Sequence, residues 1–169
     1  RGADSFGTIN LTNGGTLRYS AATPLKVGNG PGAQGTINVT GSFEGVSSLV
    51  PSSSNSQILL GAESPPPGGA TTVGTINLHN SGLVRASEVR LGAEPRTRGT
   101  ITMDGGTLDV ESLVIADKGD GSLEWSAGTV TGLRQITIGN GTGNSGRLDL
   151  DGPGRSLTLA TPIGGATQN

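Results

Sequence analysis

The chain has 169 residues and a formal net charge of −2, from 11 basic and 13 acidic side chains scattered singly, so no basic stripe is offered to nucleic acid. Cysteine is absent, which excludes disulfides, thiolate catalysis and zinc–thiolate sites. Aromatic residues are 2% and apolar residues 31%, too little for a sandwich core built on large side chains but enough for a narrow core of Ile, Leu and Val; the 31 Gly lack the every-third spacing of collagen.

The first element is Gly7-Thr8-Ile9-Asn10-Leu11, whose polar and apolar residues alternate with period two. That pattern predicts a short strand with one buried and one wet face. The phrase returns as Gly35-Thr36-Ile37-Asn38-Val39, Gly74-Thr75-Ile76-Asn77-Leu78 and Gly99-Thr100-Ile101-Thr102-Met103, then more loosely as Gly121-Ser122-Leu123-Glu124-Trp125 and Gly146-Arg147-Leu148-Asp149-Leu150. The unit starts are 28, 39, 25, 22 and 25 residues apart, so residues 1–169 read as a single repeat domain. No apolar run approaches the roughly 20 residues of a membrane helix, and no signal segment precedes Gly7; membrane insertion is not expected. A chain that opens on Arg1 without Met reads as a processed or excised piece.

Each unit continues with a middle segment and a third strand. The middle segments are Gly15-Thr16-Leu17-Arg18-Tyr19, Gly45-Val46-Ser47-Ser48, Val84-Arg85-Ala86, Gly106-Thr107-Leu108-Asp109-Val110 and Gly128-Thr129-Val130-Thr131-Gly132. The third strands run into a small residue, at Gly28, Gly61, Gly92, Ala116 and Gly139. Three strands of about five residues plus three turns account for the shortest repeat. The expected fold is all-β: a right-handed parallel β-helix, a three-sided β-solenoid of about six rungs. By parity, Ile9, Leu11, Ile37, Val39, Ile76, Leu78, Ile101, Met103, Leu123, Trp125, Leu148 and Leu150 line the first face. Leu25, Val27, Ile58, Leu60, Val89, Leu91, Leu113, Ile115, Ile136 and Ile138 line the third. Insertions after each third strand, the longest containing Pro65-Pro66-Pro67, are expected along one edge, with a further insertion at residues 51–56.

The phrases Gly7-Thr8-Ile9-Asn10-Leu11-Thr12-Asn13-Gly14-Gly15-Thr16-Leu17, Leu25-Lys26-Val27-Gly28-Asn29-Gly30 and Gly35-Thr36-Ile37-Asn38-Val39 resemble the Gly/Thr-rich β-helical repeats of bacterial exported surface proteins, such as autotransporter-type passengers and adhesins. The resemblance covers nearly the whole chain. It implies a secreted or cell-surface scaffold, adhesive or structural, and names no ligand.

Polysaccharide lyases and hydrolases also use parallel β-helices, and their chemistry needs clustered carboxylates. Asp104, Asp109, Glu111, Asp149 and Asp151 are the acids to weigh, but Asp104 falls in a turn, Asp109 and Asp149 point outward on different faces, and no basic ladder accompanies them; a solvated strand surface is expected. His79, the single histidine, sits in a turn without a triad context. Asp117-Lys118-Gly119-Asp120-Gly121-Ser122 lacks the alternating acids and distal Glu of a calcium loop and reads as an inter-rung turn. The triplets at Asn10, Asn38 and Asn140 match the glycosylation signal but arise readily in a chain rich in Asn and Thr. Thr8/Asn10, Thr36/Asn38, Thr75/Asn77 and Thr100/Thr102 form outward columns that resemble ice-binding solenoids until Glu124, Arg147 and Asp149 break them; Trp125 reads as a core plug.

No catalytic, cofactor-binding or metal-binding residue is assigned and no cofactor is implied. The first expectation is a non-enzymatic extracellular or cell-surface structural scaffold that self-associates through its terminal rungs, because neither end carries a helix or polar cap; the other reading of those ends is a fragment of a longer solenoid. The alternative is an adhesin or a module binding cell-surface or polysaccharide ligands on the loop edge, where Ala62-Glu63 and Ala93-Glu94 recur as an acidic row.

Overall fold

A computed structural model describes residues 5–19, 22–40, 48–51, 56–152 and 157. Twelve strands and no helix are found among them: β1 (Phe6–Leu11), β2 (Thr16–Tyr19), β3 (Leu25–Val27), β4 (Gln34–Val39), β5 (Ser48–Pro51), β6 (Gln57–Leu60), β7 (Thr72–Leu78), β8 (Leu83–Leu91), β9 (Thr97–Ile115), β10 (Asp120–Thr131), β11 (Gln135–Ile138) and β12 (Gly146–Leu150). Every pairing is parallel.

The pairings form three ladders, as the three-segment repeat predicts. The first runs β1, β4, β7, the start of β9, the start of β10 and β12. The second runs β2, β5, then the first half of β8, the middle of β9 and the end of β10. The third runs β3, β6, the second half of β8, the end of β9 and β11. The result is a parallel β-solenoid of five turns plus a sixth strand on the first face; residues after Gly152, apart from Leu157, lie outside the described residues.

Two details differ from the expectation. In the middle turns the strands do not stop at the corners: β9 bends through all three faces over 19 residues, because Gly106, at φ 70°, turns the chain without breaking its pairing. In the second unit the middle strand extends beyond Ser48 to Pro51, which sets Leu49 beside Leu17 and Val84 and takes residue 51 out of the expected insertion. Positions 45–47 of the expected segment, and 52–55 of that insertion, lie outside the described residues.

The repeated glycine has a steric origin. The residue that closes each third strand takes a left-handed conformation, at Gly28, Gly61, Gly92, Ala116 and Gly139, with φ between 60° and 72°. The glycine that opens the next unit packs against that corner: a Cβ on Gly74 would lie 2.6 Å from the Gly61 nitrogen, and one on Gly99 would lie 2.6 Å from the Leu91 Cα. Small residues at both places are a requirement of the close backbone approach.

The core is a set of stacked aliphatic columns. Ile37, Ile76, Ile101 and Leu123 stack on the first face, and Ile58, Val89 and Leu113 on the third, all buried. Each fully buried side chain of this kind contributes roughly 1.5–3 kcal/mol, and only because its neighbours in the turns above and below exclude water. Trp125 is buried in the same core and its indole N–H donates to the Gly128 carbonyl, as a plug should.

Candidate functional site

The five acids weighed from sequence do not converge. Asp104 accepts a hydrogen bond from the ring of His79, one turn before it, and both are partly exposed. Asp109 receives the Arg85 guanidinium at 2.7 Å. Asp149 pairs with Arg147 on its own strand, while Glu111 and Asp151 are exposed. Among the described residues no three His, Cys, Asp or Glu side chains come together in a way that could hold a metal ion.

Charges that look isolated along the sequence are paired in space, which corrects the expectation that no basic residues accompany the acids. Arg85–Asp109, Lys118–Glu94 and Arg98–Asp120 each join consecutive turns, with partners 24, 24 and 22 residues apart. The signal was available: these separations are one repeat length. Most are exposed and contribute a few tenths of a kcal/mol each.

One polar network is more buried. Gln57 donates to Glu88 at 2.6 Å; Arg90 lies between Glu88 and Asp117, at 3.0 and 2.9 Å; Asn140 donates to the other Asp117 oxygen at 2.9 Å. Burial alone would lower the Arg90 pKa, but hydrogen bonds and charge from Glu88 and Asp117 outweigh it and hold the guanidinium more firmly protonated than usual. Asp117 is buried with both oxygens engaged, and the backbone N–H groups of Lys118 and Gly119 donate to the Gly92 carbonyl. The segment from Asp117 to Ser122 is therefore an inter-rung turn, as expected, and the network clamps four turns together.

On the outer side of the first face the expected columns are hydrogen-bonded ladders. The Asn38 amide donates to Asn10 at 2.7 Å, and the Asn77 amide donates to Asn38 at 2.8 Å; further along, Ser122 donates to Thr100 at 3.2 Å. Two of the three glycosylation triplets thus have their amide engaged in this ladder, and Asn140 serves Asp117.

The loops do gather on one edge. Residues 68–71, 95–98, 118–120 and 142–144 from successive turns line an open groove of about 420 Å³. The acidic row is not what this edge presents, because Lys118 sits on both oxygens of Glu94 at 3.1 and 3.2 Å, and Arg96, Arg98 and Lys118 all face the groove, with Asp120 as its one acid.

The ends of the solenoid differ from its middle. β1 pairs only with β4 and β12 only with β10 among the described residues. Phe6 is 73% and Ile9 41% exposed at one end, and Ile138 47% and Leu150 43% at the other. Beside β1 lies a groove of about 410 Å³, bounded by Phe6, Gly7, Ile9, Val27 and Gly28.

The chain matches no protein-family model, and comparison with curated proteins and with solved structures gives no match.

Proposed function

We propose that this chain is a non-enzymatic structural β-solenoid that works as a scaffold outside the cell or on its surface and associates end to end. The observation that carries the reading is the pair of open edges: each exposes unpaired strand backbone beside apolar side chains that are buried everywhere else in the stack. Different surfaces meeting head to tail form a heterologous contact, which propagates into a filament unless rotation closes it. The location rests on the resemblance of the repeats to exported bacterial surface proteins, together with the absence of cysteine. The experiment is sedimentation velocity over a wide concentration range with electron microscopy of the same samples. Concentration-dependent growth into rods of uniform width supports the reading, and a strictly monomeric chain overturns it.

A second reading, an adhesin or carbohydrate-binding module, is favoured by the loop-edge groove. Three cations around one acid suit an acidic polysaccharide. Titration with an oligouronate before and after Arg98→Ala tests it; equal heats for the two proteins would remove it.

A further inference from the structure

The edge of β1 is shaped for a specific partner. Residues 7–11 repeat residues 74–78 letter for letter, yet the reason for glycine at the first position is absent from their surroundings. Gly35, Gly74, Gly99 and Gly121 each face a third-strand corner that leaves no room for a Cβ, whereas a Cβ on Gly7 would meet nothing within 4 Å. The open groove beside Gly7 is where such a corner would sit.

The Asn ladder adds a direction. Each amide donates toward the preceding turn: Asn77 to Asn38, and Asn38 to Asn10. The Asn10 oxygen is consumed by Asn38, which leaves its NH2 donors facing the open edge. At the opposite end the first ladder finishes on Asp149, a carboxylate that can only accept. All five steps of the first ladder set glycine beside glycine, from Gly7 to Gly146. Continuing that register onto another copy sets Gly7 beside Gly146, Ile9 beside Leu148, Asn10 beside Asp149 and Leu11 beside Leu150.

We infer that the β1 edge is the docking seat for β12 of a second copy of this chain, with Asn10 donating to Asp149 across the joint and the Gly7 groove receiving a corner of the incoming coil. This rests on the end-to-end reading above and gives it a polarity: donors of one copy meet acceptors of the next, so like ends do not join. The exposed Ile9 and Leu150 enter the columns that their positions in the repeat already define.

Two substitutions isolate the seat. Asn10→Asp keeps an oxygen for Asn38 but sets a carboxylate against Asp149 of the next copy. Gly7→Ala adds a methyl where the free chain has open space. Both should keep the melting temperature of the parent while weakening association, measured by sedimentation velocity, by about tenfold or more. Asn10→Asp combined with Asp149→Asn should recover it, since the neutral amide can turn a donor to the new carboxylate. Association that ignores both single changes, or is not recovered in the double variant, overturns this register while leaving end-to-end assembly standing. A parent that stays monomeric at every concentration overturns both.

Discussion

The same five residues, Gly-Thr-Ile-Asn-Leu, occur at residues 7–11 and 74–78, and the two copies share strand direction, alternation and ladder. Their energetics have little in common. Ile76 is completely buried between Ile37 and Ile101, and Gly74 is wedged against the Gly61 corner. Ile9 is 41% exposed and Gly7 touches nothing. In a solenoid the contribution of a residue is set by the turns on either side of it, so identical sequence has no fixed stability value.

The sharpest break between the copies comes from charge. Ile76→Asp should abolish folding, because burying an unpaired carboxylate costs several kcal/mol, comparable to a whole domain's stability. Ile9→Asp should leave a cooperative melt. Circular dichroism of both variants decides the matter, and equal loss would mean that β1 is as enclosed as β7.

Glycine gives a smaller version of the same test. A methyl at Gly74 must push apart two backbones, for a cost on the order of 3 kcal/mol, while Gly7→Ala should stay within about 0.5 kcal/mol of the parent in urea denaturation. Similar midpoints would show that the corner does not constrain the position.

Interior turns are also joined by charge. Arg90→Met should cost about 2–4 kcal/mol, since it strands the buried Asp117; adding Asp117→Asn should return part of it, whereas Arg85→Met on the exposed pair should cost under about 1 kcal/mol. Chemical denaturation of the three variants checks the order.

Ala116 is the one corner in which a side chain occupies the left-handed conformation that Gly28, Gly61, Gly92 and Gly139 supply. Ala116→Gly should therefore stabilise the protein by roughly 0.5–1 kcal/mol, the strain relieved exceeding the added entropy of the unfolded chain. A lower melting temperature would show that the Ala116 methyl contributes packing that outweighs its strain.

The smallest effect reports on the end turn. Tyr19, the single tyrosine, lies in β2; burial raises its pKa, with a side-chain hydrogen bond to Ser56 opposing. Because the folded-state pKa lies above the unfolded one, the stabilising contribution is fully present below about pH 10 and is lost as pH rises through the folded value. Ultraviolet titration of the phenolate should give a midpoint above that of free tyrosine, and an ordinary midpoint would show the first turn to be open to water.

How much of this could be read from the residues depended on whether the cause was local. Parity within each phrase gave the buried faces, and the small residues ending each third strand marked the corners, since both follow from period-two geometry and backbone sterics inside a few residues. The extent of β5 was missed because residues 41–56 carry no glycine-led phrase of the usual spacing. The cross-turn ion pairs were missed for a different reason: their partners are one repeat apart, and only a known register shows that Arg85 lies beside Asp109.

The sequence by itself determined a repeated parallel coil, its three faces and which side chains point inward, because alternation and glycine placement act over single strands. Tertiary structure alone decided which of those inward residues are buried, which charges are neighbours, and that an amide ladder ends in donors at Asn10 while the first face ends in an acceptor at Asp149. Burial and pairing in a stack are properties of adjacent turns, and two copies of one phrase differ only in what lies above and below them.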